Sequence, residues 1–274
     1  MNNWNFLKAI RRLYRLRQLS RSGDSSYGGE FVAIEKMLTK LGITNGYIVD
    51  IAASDGVTQS STLPLFARGW AGLAVEMDPW KFAVLSFIYS DFTNARLARA
   101  RVTPVNIVPL LTGNEVPRNF DLLNLDIDSY DLFVLESMLN GNFRPKAISM
   151  EINEKIPVPI YFTVKYDETH FWQGDHFYGC SLTAAGTLLR KHGYILESVE
   201  YNNALFVRVD CAGSSVGIDD ETAYQSGYAS RKDRLKLFPW NAEVEGLMSM
   251  TPDQALAEVH RMFLKYRGKY VASL

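Results

Sequence analysis

The sequence predicts an α/β protein: a twisted, mainly parallel sheet with helices on both faces and an antiparallel pair of strands closing one edge. Three observations predict it. Apolar runs of strand length alternate with helix-length amphipathic segments across residues 30–210, and most of those runs end in a carboxylate. The last two runs are separated by only a few residues, room for a hairpin but not for a crossover helix. A sheet of this kind places its ligand across the carboxyl ends of its strands.

The chain has 274 residues, 47% hydrophobic and 12% aromatic, enough to bury a full core. A formal net charge of -1 gives no general attraction for nucleic acid. Cys180 and Cys211 lie too far apart in sequence to suggest a disulfide scaffold, so a reducing cytoplasm is the simplest compartment. No apolar run reaches the length of about 18 residues that a membrane span needs. The first residues also lack the apolar core and small-residue cleavage site of a signal peptide.

Residues 1–22 differ from the rest. Lys8, Arg11, Arg12, Arg15, Arg17 and Arg21 precede the first acid, Asp24, while Trp4, Phe6, Leu7, Ile10, Leu13, Tyr14, Leu16 and Leu19 recur at near-helical spacing. This basic amphipathic helix is expected to lie on an anionic membrane surface or hold an anionic glycolipid, or else to pack on the domain or on a second subunit of a homo-oligomer. Ser- and Gly-rich residues 20–29 read as a linker. The expected division is thus 1–29 for helix and linker, 30–210 for the main domain and 211–274 for a helical extension.

Phe31, Ile34, Met37, Leu38 and Leu41 fall at helical intervals, with Gly42 as terminator. The first strand leads into Val49-Asp50-Ile51-Ala52-Ala53-Ser54-Asp55-Gly56, an apolar run ending in an acid and a small-residue turn. Residues 58–62 are polar and lead into a helix that closes at Arg68-Gly69. Residues 71–76 form a second strand, with Glu76 about twenty residues past the turn, where a strand-end carboxylate can take a ribose hydroxyl pair. Pro79 opens an apolar helix, residues 98–102 form a third strand, and Thr103-Pro104 begins a short helix through Leu111. Residues 120–126 are a fourth strand running into Asp126, Asp128 and Asp131. A helix over 132–139 and a strand over 147–151, stopping on Glu151, follow.

Residues 153–179 carry prolines, aromatics, His170 and His176 without periodicity, which reads as a long functional insertion holding substrate contacts. Ser181 to His192 is helical, and 194–199 with 204–209 is the terminal strand pair. Beyond it the pattern is irregular until Thr251-Pro252-Asp253-Gln254, a capping-box start to a helix reaching about Tyr266.

The turn carries Ala52, Ala53 and Gly56 where a dinucleotide fingerprint has three glycines, so a ligand without a pyrophosphate fits better. Residues 49–56, Glu76, the run Phe-Asp-Leu-Leu-Asn-Leu-Asp-Ile-Asp at 120–128 and Ser-Met-Glu-Ile-Asn at 149–153 resemble FkbM-type S-adenosylmethionine-dependent methyltransferases. Gly179-Cys180-Ser181-Leu182, Gly193-Tyr194 and residues 203–208 resemble that family's last helix and hairpin, so the match spans roughly 30–210. The resemblance implies a Rossmann-like class I methyltransferase fold with a seven-stranded sheet, and O-methylation of hydroxyls on sugars, glycans or natural products. The sequence departs from the family pattern at Ala52, where Gly is usual, and at Asp126-Ile127-Asp128-Ser129, where Asp-x-Glu-Gly is usual.

The resemblance assigns S-adenosylmethionine to Asp50, Ala52, Ser54, Asp55, Gly56, Glu76, Met77 and Asp126, with Met77 over the adenine and Glu76 on the ribose. Methyl transfer to a hydroxyl needs alignment and removal of a proton. Asp126, Asp128 and Glu151 end adjacent strands, and their oxygens either converge on a divalent cation such as Mg or bind cofactor and acceptor hydroxyls directly. For a metal-free route Asp175-His176 is the expected base pair, beside Asp128, with His170 in reserve. Cys180 reads as packing. Two other classes stay open: a glycosyltransferase using Asp126-Ile127-Asp128 as its Asp-x-Asp metal motif, and a non-catalytic membrane-surface binding module.

If residues 1–22 bind lipid, the full chain sediments with anionic liposomes and a chain starting at Ser26 does not; equal sedimentation assigns the helix to packing.

Overall fold

In the computed structural model of the chain, residues 26–274 are described; the expected basic helix over 1–22 lies outside them. The strands in chain order are β1 (Tyr47–Ile51), β2 (Ala71–Glu76), β3 (Ala95–Arg99), β4 (Leu122–Leu125), β5 (Ala147–Glu151), β6 (Tyr161–Val164), β7 (Tyr194–Glu200), β8 (Asn203–Arg208) and β9 (Tyr270–Ser273). Seven of them form one sheet in the order β3-β2-β1-β4-β5-β8-β7. The first five pair in parallel, and β8 is antiparallel to both β5 and β7. This is the expected fold class: mainly parallel, seven strands, a terminal antiparallel hairpin, helices on both faces.

The strand residues divide by parity, as a sheet buried on both faces requires. Val49, Ile51, Leu73, Val75, Leu123, Leu125, Ile148, Met150 and Phe206 enter one core. Ile48, Ala74, Leu122, Ala147, Leu205 and Val207 enter the other. Helices α1 (Glu30–Lys40), α2 (Leu63–Ala67) and α3 (Pro79–Tyr89) cover the second face. Helices α4 (Ile107–Gly113), α5 (Asp131–Asn140), α6 (Leu182–Lys191) and α7 (Asp220–Tyr224) cover the first. Asp78 caps α3 by accepting from the amides of Trp80 and Lys81, with Pro79 at the first helical position. Ser181 caps α6 by accepting from Ala184 N–H. The chain runs outward from β1 to β3 and returns to β4 on the other side of β1, so the helices leave a crevice at the carboxyl ends of β1 and β4.

The elements depart from expectation in three places. Strand β3 occupies 95–99 rather than 98–102, because its register against β2 pairs Arg99 with Glu76, where the ladder stops. The helix expected from Pro104 begins at Ile107. Thr103 and Asn106 first exchange hydrogen bonds, Thr103 N–H to Asn106 Oδ1 at 2.8 Å and Asn106 N–H to Thr103 Oγ1 at 3.2 Å, and this turn precedes the helix. The insertion 153–179, expected to be irregular, contains β6, which pairs antiparallel with β9 at the far end of the chain.

That pairing explains the segment after β8. Residues 211–274 hold α7, α8 (Arg234–Leu237), α9 (Pro252–Met262) and β9, with Thr251 and Gln254 forming the expected capping box. They fold back on the insertion around a third core of Ile156, Ile160, Phe162, Val164, Phe177, Leu247, Ala255, Val259 and Phe263. Among the described residues no helix is long and apolar enough to cross a membrane. Phe162 is fully buried in this third core. Phe162→Ala is therefore expected to destabilise the chain by about 3–4 kcal/mol, read as a shift of the urea unfolding midpoint at unchanged slope.

Candidate active site

A cavity of about 500 Å³ opens across the carboxyl ends of β1, β2 and β4. Its floor begins with the turn after β1. The amides of Ala52 and Ala53 both donate to Val75 O at 2.9 Å, bending the chain sharply as it leaves the strand. Ala52 and Ser54 take left-handed backbone angles, φ 68° and 53°, a conformation that costs a non-glycine residue about 1 kcal/mol. Glu76 holds the turn in place: Ser54 N–H donates to its Oε2 at 2.9 Å and Asp78 N–H to its Oε1 at 2.7 Å. A carboxylate has about four acceptor positions, so both oxygens keep capacity for a ligand hydroxyl. Glu76 and Met77 line the cavity.

Asp50 also lines it, but its carboxylate is engaged by the protein. Thr62 Oγ1 donates to Oδ2 at 2.6 Å and Asn124 Nδ2 to Oδ1 at 2.9 Å, and burial raises its pKa. Asp50 ties the start of α2 to β4. Two residues expected at the cofactor face elsewhere. Asp55 accepts from the amides of Val57 and Thr58 at 3.0 and 2.7 Å and from Thr58 Oγ1 at 2.8 Å, which shapes the next turn. Gly56, at φ 76°, abuts α3: a Cβ there would lie 2.5 Å from Leu85 Cδ1 and 2.8 Å from Tyr89 Cε1. Its missing side chain makes room for the helix, not for a ligand.

At the other end of the cleft one oxygen each of Asp126, Asp128 and Glu151 lies within 4.8 Å of the others. Burial, then repulsion from its acidic neighbours, pushes Glu151 well above the carboxylate range; crowding by the surrounding protein and then the charge of Asp128 push Asp126 the same way, although its side chain is exposed to the cleft. Burial raises Asp128 as well, opposed by the charges of Lys81 and Lys155. Glu151 Oε1 accepts from Asn202 Nδ2 at 3.0 Å, while its buried Oε2 meets no donor among the described residues. An unsatisfied buried carboxylate oxygen among two further acids is the donor set of a hard cation. Asp131, fully buried at the start of α5, accepts from the amides of Ile127 and Ser129 at 2.8 and 3.0 Å and so fixes the loop in which Asp128 takes φ 55°. Burial raises Asp131 to about 6 against those two bonds. Just past β5, Glu154 and Lys155 form a buried ion pair at 3.1 Å, with Tyr178 OH donating to Glu154 at 2.8 Å and Asn241 Nδ2 at 2.6 Å.

The pair expected to act as base is not in this cleft. His176 and Asp175 line a separate cavity of about 360 Å³ between the insertion and the C-terminal segment. His176 Nε2 meets Glu243 Oε1 at 2.7 Å rather than Asp175. The Asp175 carboxylate is taken by Tyr266 OH at 2.7 Å, Lys265 at 2.8 Å and Phe177 N–H at 3.1 Å. His170, the reserve candidate, does line the cleft. Cys180 is fully buried in the first core, and burial holds its thiol well above the usual range, in keeping with packing.

The cleft also gathers residues that sequence does not single out: Lys81 from α3, Arg101 after β3, Asn124 in β4, Phe171 and Trp172 in the insertion, and Asn203 at the start of β8. Arginines in an otherwise apolar run were the one signal for Arg101. Asp131 could have been found as an acid in the first turn of a helix following an acidic loop.

No family model and no curated protein sequence matches the chain. Among solved structures it is similar to the N-terminal domain of EvdMO1, crystallised in the presence of SAH and D-fucose, at 12% identity over 72% of this chain and 94% of that one, TM-score 0.43. It is similar to a S-adenosylmethionine-dependent methyltransferase from Clostridium acetobutylicum ATCC 824 at 15% identity over 76% and 99%, TM-score 0.44. It is also similar to monomeric WbdD at 13% identity over 65% and 40%, TM-score 0.43. The Rossmann-like assignment itself follows from the strand order and the antiparallel hairpin.

Because Asp131 holds two buried amides, Asp131→Ala is expected to cost about 2–3 kcal/mol in denaturant unfolding. It is also expected to raise amide exchange at Ile127 and Ser129, where an effect confined to α5 would leave exchange unchanged.

Proposed function

We propose that this chain is a S-adenosylmethionine-dependent methyltransferase that methylates a hydroxyl of a sugar, glycan or natural product. The observation that supports this most directly is the layout of the cleft at the strand ends. A buried carboxylate with spare acceptor capacity, Glu76, stands beside the left-handed turn after β1, and three acids converge at the end of β4 and β5.

S-adenosylmethionine supplies a methyl group already activated on a sulfonium, so the protein's tasks are alignment and proton removal. Glu76 would accept from the ribose hydroxyls, Met77 would cover the adenine, and Ala52 and Ser54 would border the methionine end. Asp50 shapes that wall from behind. Asp128 takes the acceptor's proton, since the acid cluster lies in the cleft and His176 does not. The residues present fit a divalent cation: Asp126, Asp128 and Glu151 would hold it, and it would supply Lewis acidity toward the acceptor oxygen. The likeness of 49–56 and 120–128 to FkbM-type enzymes favours an O-methyl product over the glycosyl transfer that Asp126-Ile127-Asp128 alone would allow.

Titration calorimetry with S-adenosylhomocysteine tests the cofactor. Binding is expected, and Glu76→Ala is expected to weaken it about tenfold or more, the loss of a charge-assisted hydrogen bond. Stabilisation by uridine diphosphate but not by S-adenosylhomocysteine would turn the assignment to a glycosyltransferase. For the metal, dialysis against EDTA is expected to abolish transfer and Mg to restore it; full activity after EDTA removes the cation from the mechanism.

A further inference from the structure

Arg101, His170, Phe171 and Trp172 together make part of the cleft wall. Phe171 and Trp172 are large aromatics left 48% and 45% exposed, yet neither is loose. Trp172 Nε1 donates to Asp175 O at 2.6 Å and its ring meets the edge of Tyr178, with centroids 6.1 Å apart. Tyr178 in turn contacts Lys155, whose charge acts on Asp128. Trp172 therefore presents a fixed apolar plate to the cleft that Asp126 and Asp128 also line.

Arg101 is the second part of the wall. Its Nε donates to Tyr130 OH at 3.2 Å, its Nη2 donates to His170 O at 2.7 Å, and its guanidinium lies 4.1 Å from the centre of the Phe171 ring. Among the described residues it pairs with no carboxylate. The other basic side chain of the cleft, Lys81, acts on Asp128. Arg101 is thus a preoriented cation in a ligand cleft with its charge unanswered and Nη1 undirected. Beside it, His170 lines the cleft with its ring set at right angles to Phe177 and Tyr266. A planar guanidinium backed by an aromatic ring is the side chain best suited to carboxylate or phosphate.

We propose that this wall is the acceptor subsite, and that the acceptor is a pyranose bearing an anionic group: the ring stacks on Trp172 and Phe171, and the carboxylate or phosphate binds Arg101 with His170 beside it. This rests on the methyltransferase reading and narrows it to acidic sugars. It also gives the insertion a role that its lack of periodicity hides, because residues 170–172 supply the surface that selects the substrate.

The test uses the full chain saturated with S-adenosylhomocysteine. Binding of glucuronate, glucose 6-phosphate and glucose, which share a ring and differ in charge, is measured by saturation-transfer NMR and by quenching of tryptophan emission. Expected is a preference of about tenfold or more for one or both anionic sugars over glucose; glucuronate alone assigns a carboxylate, glucose 6-phosphate alone a phosphate. Arg101→Gln is expected to abolish the preference while leaving glucose within about twofold, Arg101→Lys to retain part of it, and Trp172→Ala to weaken all three sugars. Equal binding of the three sugars, or a preference that survives Arg101→Gln, overturns the proposal. So does a loss of S-adenosylhomocysteine affinity in Arg101→Gln as large as the loss for the sugar acid, since the arginine then serves the cofactor's own carboxylate. Failure of S-adenosylhomocysteine to bind the unmodified chain would instead overturn the methyltransferase reading.

Discussion

Two backbone amides converge on one carboxylate, and the cleft depends on it. Ser54 and Asp78 both donate to Glu76, which ties the turn after β1 to the segment after β2. Parallel strands leave the backbone groups at their carboxyl ends without ladder partners, and a strand-end acid satisfies two of them at once. The left-handed angles at Ala52 and Ser54 are tolerated because neighbouring bonds over-determine the turn. Asp131 repeats the device at β4: its carboxylate takes the amides of Ile127 and Ser129 and holds the loop that presents Asp128. Both mouths of the cleft are shaped by acids that accept backbone hydrogen bonds.

This explains why acids at strand ends have such different parts to play. Asp50, Glu76, Asp126 and Glu151 all follow apolar runs and look alike in sequence. Asp50 is consumed by Thr62 and Asn124, Glu76 bridges amides, and Asp126 with Glu151 joins Asp128 in a cluster whose charges oppose one another. What separates them is the number of donors that tertiary structure brings to each; for Asp50 these come from 12 and 74 positions away.

The sheet was legible because its signal is local. Apolar runs ending in an acid placed β2 and β5 to the residue, and the short link between the last two strands announced the hairpin. The acids of the cleft were legible for the same reason: they end runs. The insertion was not: Ile160-Tyr161-Phe162-Thr163-Val164 is a run of strand formers, but its strand partner β9 and the Val259 and Phe263 beside it come from the far end of the chain, and the segment around it has no periodicity. His176 shows the cost of reading adjacency as contact. Asp175 precedes it, but the two carboxylate oxygens turn to Phe177, Tyr266 and Lys265, and the imidazole to Glu243. Gly56 shows a second confusion, since a glycine near a ligand turn can serve a helix packed behind it.

The β6–β9 pair has a kinetic consequence. Tyr161 meets Ser273, so closing this small sheet brings together positions roughly a hundred residues apart, and the entropy of that closure must be met before its contacts stabilise anything. The pairings of the seven-stranded sheet are nearer in sequence, the longest, Ile48 with Leu122, joining residues 74 apart. Residues 170–172 follow β6 in the same segment, so the aromatic wall of the cleft is tied to a pairing between two remote stretches of chain, while the Glu76 bridge rests on contacts within the parallel sheet.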